Sequence, residues 1–193
     1  MSFFKPKTYK TRSELVRGCL NGERRAQVAL YDRSKAKLLG ICLRYAHTVA
    51  EAEDIFQEAI LKIFNRISDL EKPELLDPWM RSVVIRTAIN YYNRTTRQEL
   101  RNTGLDEASY ELENDDYLRI IDQTNVEALL EIINALPQKY RLIINLYLID
   151  GYQHAEIAKM LSMSENTSRS QYMRARNLLM LKLQESGITA NEH

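Results

Sequence analysis

The sequence predicts an all-α fold, with two small helical domains joined by a flexible acidic linker. Apolar residues recur at helical rather than alternating spacing along the 193-residue chain, and only six Gly and four Pro interrupt the pattern. Residues 102–116 are acidic and show little periodicity, which is typical of a linker. Residues 151–176 form two helical stretches separated by a very short turn. We therefore predict an N-terminal domain at 1–101, a linker at 102–124 and a C-terminal helix-turn-helix domain at 125–193.

Four helices are predicted in the N-terminal domain, at about residues 14–20, 23–45, 49–67 and 79–97. Ser13 would cap the first of these helices, and Leu20 would face its core. Thr48 would cap the third helix. The segment Ser68–Pro78 contains two prolines and is predicted to be a loop. The C-terminal domain is expected to begin with a helix near Asn125.

Composition argues against several classes of protein. No apolar run approaches the ~20 residues needed to span a membrane, and the N-terminus lacks the apolar core of a signal peptide. Cys19 and Cys42 stand apart from each other and from any pair of histidines, which predicts reduced thiols in the cytoplasm and no zinc site. The sequence has no Gly-rich phosphate loop, metal-spaced ligand set or nucleophile motif. We therefore predict no cofactor, no metal and no enzymatic activity.

Charge is segregated along the chain, although the net charge is only +1. Residues 1–50 carry eleven Lys or Arg against three acids, whereas residues 104–135 carry nine acids against one Arg. Alternating basic and acidic zones suit a protein that contacts nucleic acid with some surfaces and other partners with the rest. Each zone taken alone could also be an ordinary solvated face.

The third predicted helix has two different faces. At about 100° per residue, one side collects apolar residues from Phe56 to Ile67, which predicts a core-facing side. The opposite side is polar around one apolar residue, and its members are Asp54, Gln57, Glu58, Leu61 and Asn65. An apolar side chain inside a charged, amide-rich rim is typical of a protein-docking surface, with Leu61 as its anchor. Spacing alone leaves open that Leu61 is a stray exposed leucine.

The fourth predicted helix carries a stripe of basic and amide side chains. It consists of Ser82, Arg86, Asn90, Asn93, Arg94 and Arg97. Arginine donates hydrogen bonds to phosphates and asparagine bonds base edges, so the stripe favours nucleic acid over a merely solvated face. Trp79 begins this helix, and its ring could either stack on an unpaired base or fill the core.

The two C-terminal stretches predict a helix-turn-helix, whose second helix lies in the DNA major groove. Ser164 is a good N-cap for that helix, and Ser162 occupies the turn position where Gly is usual. The outward face of the second helix consists of Glu165, Asn166, Arg169, Ser170, Tyr172, Met173 and Arg176. Its arginines can donate to guanine or phosphate, which favours DNA over a helix-turn-helix without a DNA role. His154 is expected at the surface or in contact with phosphate.

Three stretches together resemble the extracytoplasmic-function (ECF) sigma factors of bacterial RNA polymerase. The first contains A-E-D-I-F-Q-E and is similar to the family's segment that docks on the polymerase clamp helices. The second begins W-M-R-S-V-V-I-R and resembles the segment that recognises the minus-ten promoter element. The third runs from L-P-Q-K-Y-R to S-Q-Y-M-R-A-R and resembles the domain that binds the minus-thirty-five element. The three stretches follow one another in the family's order.

The resemblance implies a role for each exposed face. The residues implied to bind polymerase are Asp54, Gln57, Glu58 and Leu61. Those implied to lie near the minus-ten strand are Arg86, Asn90, Arg94 and Arg97. Those implied to read the minus-thirty-five element are Arg169, Ser170, Tyr172, Met173 and Arg176. The segment Ser68–Pro78 would hold a flipped-out promoter base.

The resemblance also implies partners, namely the RNA polymerase core, promoter DNA and an anti-sigma factor, with no insertion into a membrane. The family commonly has Asn where this chain has Arg86, and Asp where it has Asn90, so the family's promoter preference does not carry over. The alternatives are a stand-alone helix-turn-helix transcriptional regulator, a helical adaptor without a DNA role, and an enzyme with unrecognised motifs. The regulator leaves the face around Leu61 unexplained.

Overall fold

The computed structural model describes the backbone of residues 8–99 and 126–187 and the side chains of residues 8–94 and 128–187. All regular elements in these ranges are helical, which confirms the predicted all-α class. The chain divides into two compact units, Met1–Thr95 and Thr96–His193. The predicted linker, residues 102–124, lies outside the described residues.

Within its described residues, the first unit contains four α-helices and two short 3₁₀ turns. In chain order they are α1 (Arg12–Leu20), α2 (Arg24–Tyr45), α3 (Val49–Asn65), the turns Ile67–Asp69 and Pro73–Leu75, and α4 (Leu76–Glu99). Thr11, rather than the predicted Ser13, caps α1, because its hydroxyl accepts a hydrogen bond from the Glu14 N–H at 3.1 Å. Gly22, with φ of +70°, lies in the turn between α1 and α2, a conformation that favours glycine.

An aliphatic core holds the first unit together. In it, α2 packs against both α1 and α3. Its fully buried side chains include Leu30, Ile55, Ile63, Val84 and Ile85. The predicted core side of α3 is confirmed, since Phe56, Ala59, Ile60 and Ile63 are all buried. Burial of this side leaves the opposite side of α3 in solvent.

Three further details of the first unit differ from the sequence prediction. Leu20 is 52% exposed, because it lies about 100° beyond the buried stripe that ends at Cys19. Helix α3 ends at Asn65 rather than Ile67. The predicted loop Ser68–Pro78 is partly helical, and Pro78 lies in the first turn of α4. Proline is tolerated there because the first turn of a helix has no internal acceptor for its N–H groups.

The second unit consists, within its described residues, of four α-helices and one π-helical turn. In chain order they are α5 (Val126–Asn134), α6 (Gln138–Ile144), the π-helical turn Asn145–Ile149, α7 (His154–Leu161) and α8 (Glu165–Glu185). The predicted helix start near Asn125 agrees with these bounds. Gly151, with φ of +77°, follows the π-helical turn.

Helix α8 is the central packing element of the second unit, where it contacts α5, α6 and α7. The fully buried side chains of this unit include Ile133, Ile143, Ile144, Leu146, Ile157, Leu179 and Leu183. The buried apolar residues of α8, from Ala175 to Leu183, lie in its C-terminal half. Its first two turns therefore present mostly exposed polar side chains, which is the part of the helix predicted to meet DNA.

Candidate protein-docking and nucleic-acid interfaces

Helix α3 presents a polar surface that includes one large, exposed apolar side chain. We call the residues Asp54, Gln57, Glu58 and Leu61 the docking surface. Leu61 is 62% exposed, Asp54 and Gln57 are exposed, and Glu58 is half-buried. The structure thus brings all four predicted residues together on one side of α3. Thr48 caps the start of the helix as predicted, because its hydroxyl accepts a hydrogen bond from the Glu51 N–H at 3.1 Å.

Glu58 joins α3 to α4 through a small ion-pair network. Its Oε1 accepts from Lys62 Nζ at 2.7 Å, and its Oε2 accepts from Arg94 Nη2 at 2.6 Å. Lys62 Nζ also donates to Thr87 Oγ1 on α4 at 3.4 Å. Partial burial acts to raise the pKa of the Glu58 carboxyl, but the hydrogen bonds and charges of Lys62 and Arg94 outweigh it and lower the pKa. Glu58 is therefore ionised at neutral pH.

Helix α4 exposes most of its predicted basic stripe. Arg86, Asn90 and Arg94 are exposed, whereas the side chain of Arg97 lies outside the described residues. The Arg94 guanidinium is also 5.9 Å from the centroid of the Tyr91 ring. The apolar side of α4 is buried at Met80, Val84 and Ala88. The stripe therefore faces solvent because the apolar side of α4 is occupied by the core.

The segment before α4 is tied to α1. Arg12 Nη2 and Asp77 Oδ2 form an ion pair of 2.5 Å between α1 and the first turn of α4. Trp79 is half-buried, so part of its ring packs against the unit and part contacts solvent. Leu75, four residues earlier in the chain, is 47% exposed. The role of Ser68–Pro78 in holding a base stays a prediction.

The C-terminal helix pair has the predicted helix-turn-helix geometry, with α7 and α8 separated by three residues. Ser162 adopts a left-handed conformation, with φ of 55° and ψ of 45°, and is the one described non-Gly residue with a positive φ. This conformation usually selects Gly. Ser164 caps α8 as predicted, because its hydroxyl accepts from the Thr167 N–H at 3.0 Å.

Helix α8 carries all five predicted DNA-contacting residues within one broad side. They are Arg169, Ser170, Tyr172, Met173 and Arg176. Arg169, Ser170 and Met173 are exposed, whereas Tyr172 and Arg176 are half-buried. Arg169 Nη2 donates to Glu165 Oε1 one turn earlier, at 2.5 Å. DNA contacts by Arg169 would therefore compete with an internal carboxylate.

Tyr172 belongs to an aromatic cluster that the sequence analysis missed. Its ring centroid lies 4.3 Å from that of Tyr147, and Tyr147 stacks on His154 at 4.4 Å with an interplanar angle of 15°. The three rings come from the π-helical turn, α7 and α8, so the cluster joins all three elements. Each ring comes from a separate element, and no local periodicity could have revealed the cluster.

His154 is buried, and its expected surface position was wrong. The side chain is 8% exposed, because the rings of Tyr147 and Tyr172 cover it. His154 Nδ1 lies 3.0 Å from the hydroxyl of Ser168, which is itself buried. Burial first, and then the positive charge of Arg169, lower the pKa of His154. The neutral imidazole is therefore the form that the folded unit favours.

In the described part of the chain, the remaining candidate groups form neither a metal site nor a disulfide. No group of three or more His, Cys, Asp or Glu lies there in an arrangement that could hold a metal ion. Cys19 and Cys42 are buried and not disulfide-bonded, and burial raises their thiol pKa values to about 11 and about 12. None of the described helices combines the length and hydropathy that crossing a membrane requires.

Each of the two units matches a known protein family. Residues 30–98 match the family Sigma-70 region 2, and residues 126–179 match the family Sigma-70, region 4. The chain is 26% identical over 185 residues to the RNA polymerase sigma-H factor of Pseudomonas aeruginosa, which covers 92% of this chain and 96% of that protein. It is 25% identical over 182 residues to the ECF RNA polymerase sigma-E factor of Haemophilus influenzae, which covers 90% of this chain and 96% of that protein.

Among solved structures, the chain is similar to the sigma factor RpoE in complex with the anti-sigma factor NepR from Bartonella quintana. That likeness has a TM-score of 0.49 and 18% identity, and it covers 81% of this chain and 95% of that chain. Of the two family matches, the first contains the docking surface and the basic stripe of α4, and the second contains the helix-turn-helix and the predicted face of α8.

Proposed function

Because this chain belongs to the extracytoplasmic-function (ECF) sigma factors of bacterial RNA polymerase, we propose a role for each of its exposed surfaces. The chain directs the polymerase core to promoter DNA and initiates transcription there. We propose that residues 1–101 bind polymerase and the minus-ten element and that residues 125–193 bind the minus-thirty-five element. Residues 102–124 would tether the two, so that the second DNA contact is effectively intramolecular.

The docking surface is proposed to bind the polymerase core. The observation that carries this assignment is the 62% exposure of Leu61 on the same side of α3 as Asp54, Gln57 and Glu58. Hot spots of protein interfaces usually consist of a buried anchor side chain surrounded by contacts that exclude water. The acidic rim would complement a basic partner surface and exclude acidic ones.

The stripe on α4 is proposed to bind the minus-ten region of the promoter, through Arg86, Asn90, Arg94 and Arg97. Exposed guanidinium groups suit phosphates, which position a protein on DNA, and the Asn90 amide suits a base edge. Arg86 and Asn90 differ from the residues common in the family. We therefore expect this chain to prefer a minus-ten sequence of its own.

The first half of α8 is proposed to read the minus-thirty-five element in the major groove. Arg169 and Ser170 are exposed polar donors, and Met173, 46% exposed, offers an apolar contact for a thymine methyl group. Arg176 would contact phosphate or guanine further along the helix. Tyr172 is partly covered by Tyr147, so its proposed contribution is the exposed part of its ring.

The remaining proposals concern partners and location. We propose that the chain acts in the cytoplasm with polymerase, that it has no catalytic activity, cofactor or metal of its own, and that an anti-sigma factor restrains it. Family membership supports each of these statements, since the relatives compared above are named as sigma factors. The anti-sigma factor would act by covering surfaces that polymerase otherwise uses.

Transcription reconstituted from purified components tests the proposed function. Core polymerase and genomic DNA of the source bacterium are incubated with and without the chain, and transcript starts are mapped. We expect discrete new starts that share two sequence elements and appear only with the chain. Starts indistinguishable from those of the core alone would overturn the assignment. Tight binding of the chain to duplex DNA without polymerase would instead favour the stand-alone regulator.

A further inference from the structure

The Glu58–Arg94 ion pair joins two surfaces to which different partners are assigned. Glu58 lies in the docking surface of α3, and Arg94 lies in the basic stripe of α4, 36 residues later in the chain. The two residues meet at 2.6 Å between Glu58 Oε2 and Arg94 Nη2. A group that polymerase would use and a group that DNA would use are therefore bound to each other in the free protein.

Both groups remain accessible to those partners. The Arg94 side chain is 61% exposed and the Glu58 side chain is 31% exposed. A carboxylate and a phosphate each present two acceptor oxygens that a guanidinium can bind with a pair of N–H groups, so they compete for the same donors of Arg94. A cation from a docked partner competes in the same way with Arg94 for the Glu58 carboxylate.

We propose that Glu58 is a positioning residue that couples polymerase docking to promoter binding by holding Arg94 in the free protein and releasing it in the complex. Contact between polymerase and Glu58 frees the Arg94 guanidinium for a phosphate of the minus-ten strand. By linkage, DNA bound to Arg94 makes Glu58 more available to polymerase by the same factor. This inference rests on the proposed function of the two surfaces.

Lys62, the second partner of Glu58, allows this exchange without leaving the carboxylate unpaired. Lys62 Nζ is 2.7 Å from Oε1 of Glu58 and stays within reach of Thr87, so the carboxylate keeps one cation when Arg94 leaves. Arg94 in turn keeps its contact with the Tyr91 ring. Because exposed ion pairs contribute weakly, we expect the coupling to be between about twofold and fivefold in affinity.

A purely structural role for the ion pair and the proposed coupling role predict different effects of Glu58→Gln on DNA binding. If the pair only fastened α3 to α4, its loss would reduce stability and leave the DNA affinity unchanged or weaker. If Glu58 holds Arg94 back, its loss strengthens the binding of the free chain to single-stranded DNA. The DNA affinity of Glu58→Gln therefore distinguishes the two roles, because only the coupling role predicts tighter binding.

The experiment uses the full chain and a fluorescent single-stranded oligonucleotide carrying the mapped minus-ten sequence, with affinity measured by anisotropy at low salt. Glu58→Gln is compared with Glu53→Gln, which makes the same charge change on an exposed position of the same helix. We expect Glu58→Gln to bind DNA about two to five times more tightly than Glu53→Gln. The gain should vanish when Arg94→Ala is added to both variants, and it should also vanish at saturating core polymerase.

Two further variants separate failure of this inference from failure of the proposed function. Arg86→Ala, on the same stripe, should weaken DNA binding, and Leu61→Asp should weaken polymerase binding. If both do so while Glu58→Gln and Glu53→Gln bind DNA equally, only the coupling is refuted. If Arg86→Ala leaves DNA affinity unchanged, the stripe itself is wrongly assigned. A gain for Glu58→Gln that persists in the Arg94→Ala background would also refute the coupling.

Discussion

The docking surface of α3 and the outward face of α8 are both exposed helix faces, but they are built in different ways. On α3, the apolar anchor Leu61 projects into solvent, and the core side of the helix is filled by its own apolar residues. On α8, Tyr172 packs against rings from two other elements, and Arg169 is held by Glu165. The first face is apolar at its centre. The second face is basic, and part of its charge is already paired within the chain.

The difference predicts that the two faces respond differently to salt and to substitution. Apolar burial depends little on ionic strength, whereas phosphate binding weakens steeply as salt rises because counterions are released from DNA. The affinity for polymerase should therefore depend chiefly on one side chain of α3. The affinity of α8 for DNA should be spread over several charges and depend on the packing beneath them.

The largest expected effect is that of Leu61→Asp on polymerase binding. We expect a loss of about 30-fold or more in affinity, because the change removes a central apolar contact and buries a carboxylate in its place. Competition with labelled wild-type chain for core polymerase measures it. Leu20→Asp is the matched control, since Leu20 is 52% exposed on α1 of the same unit, and it should bind within about twofold of wild type. Equal losses in both variants would place the anchor elsewhere.

A smaller effect is expected for Arg169→Ala on binding to the minus-thirty-five element. If α8 faces DNA as proposed, removal of one arginine should weaken binding about tenfold and reduce the salt slope by about one counterion. Anisotropy titrations of polymerase-bound chain on duplex DNA at several salt concentrations give both quantities. Lys182→Ala removes the same charge from the last turn of α8 and should leave both nearly unchanged. An unchanged slope for Arg169→Ala would exclude contact between Arg169 and phosphate.

Burial of His154 in the aromatic cluster makes the stability of the second unit depend on pH. Because folding lowers the pKa of His154, the unfolded chain takes up the proton first as the pH falls. Stability is therefore intact above about pH 6.5, the ordinary histidine value, and declines as the pH drops below it. Stability should fall most steeply with pH where the unfolded chain is protonated and the folded chain is not, and the loss should be complete below the pKa of the folded chain.

Urea unfolding at pH 7.5 and pH 5.5 tests this dependence. Trp79, the one tryptophan of the chain, lies in the first unit, so its fluorescence follows that unit, while far-UV circular dichroism follows both. We expect the acid-induced loss in circular dichroism without a matching shift in fluorescence. His154→Gln should remove most of this loss, and an undiminished loss in that variant would assign the effect to other groups.

What could be predicted from the sequence divides by the range of the contacts involved, and not between the two faces. The caps at Thr48 and Ser164 and the exposure of Leu61 were predicted correctly because each depends on residues within about one turn of the helix. Leu20 was misplaced by one helical step, since its burial depends on where α2 lies. The Glu58–Arg94 pair spans 36 residues and could not be foreseen. The contacts of His154 likewise required the tertiary structure.

The smallest expected effect concerns the turn that places α8 beside α7. Ser162 holds a left-handed conformation that costs an ordinary residue about 1 kcal/mol, and Ser162→Gly removes this strain. Glycine also has more freedom in the unfolded chain, which offsets part of the gain. We therefore expect the second unit to be stabilised by less than about 1 kcal/mol, as a higher urea midpoint in circular dichroism.

Ser186→Gly is the control for that substitution, because Ser186 follows α8 with φ of −82°, where glycine relieves no strain. It should leave the midpoint unchanged or lower it. If Ser162→Gly also lowers the midpoint, the Ser162 side chain stabilises the turn, and the strain argument fails. If it raises the midpoint and leaves promoter affinity unchanged, the geometry of the helix-turn-helix depends on the backbone at this position rather than on the hydroxyl.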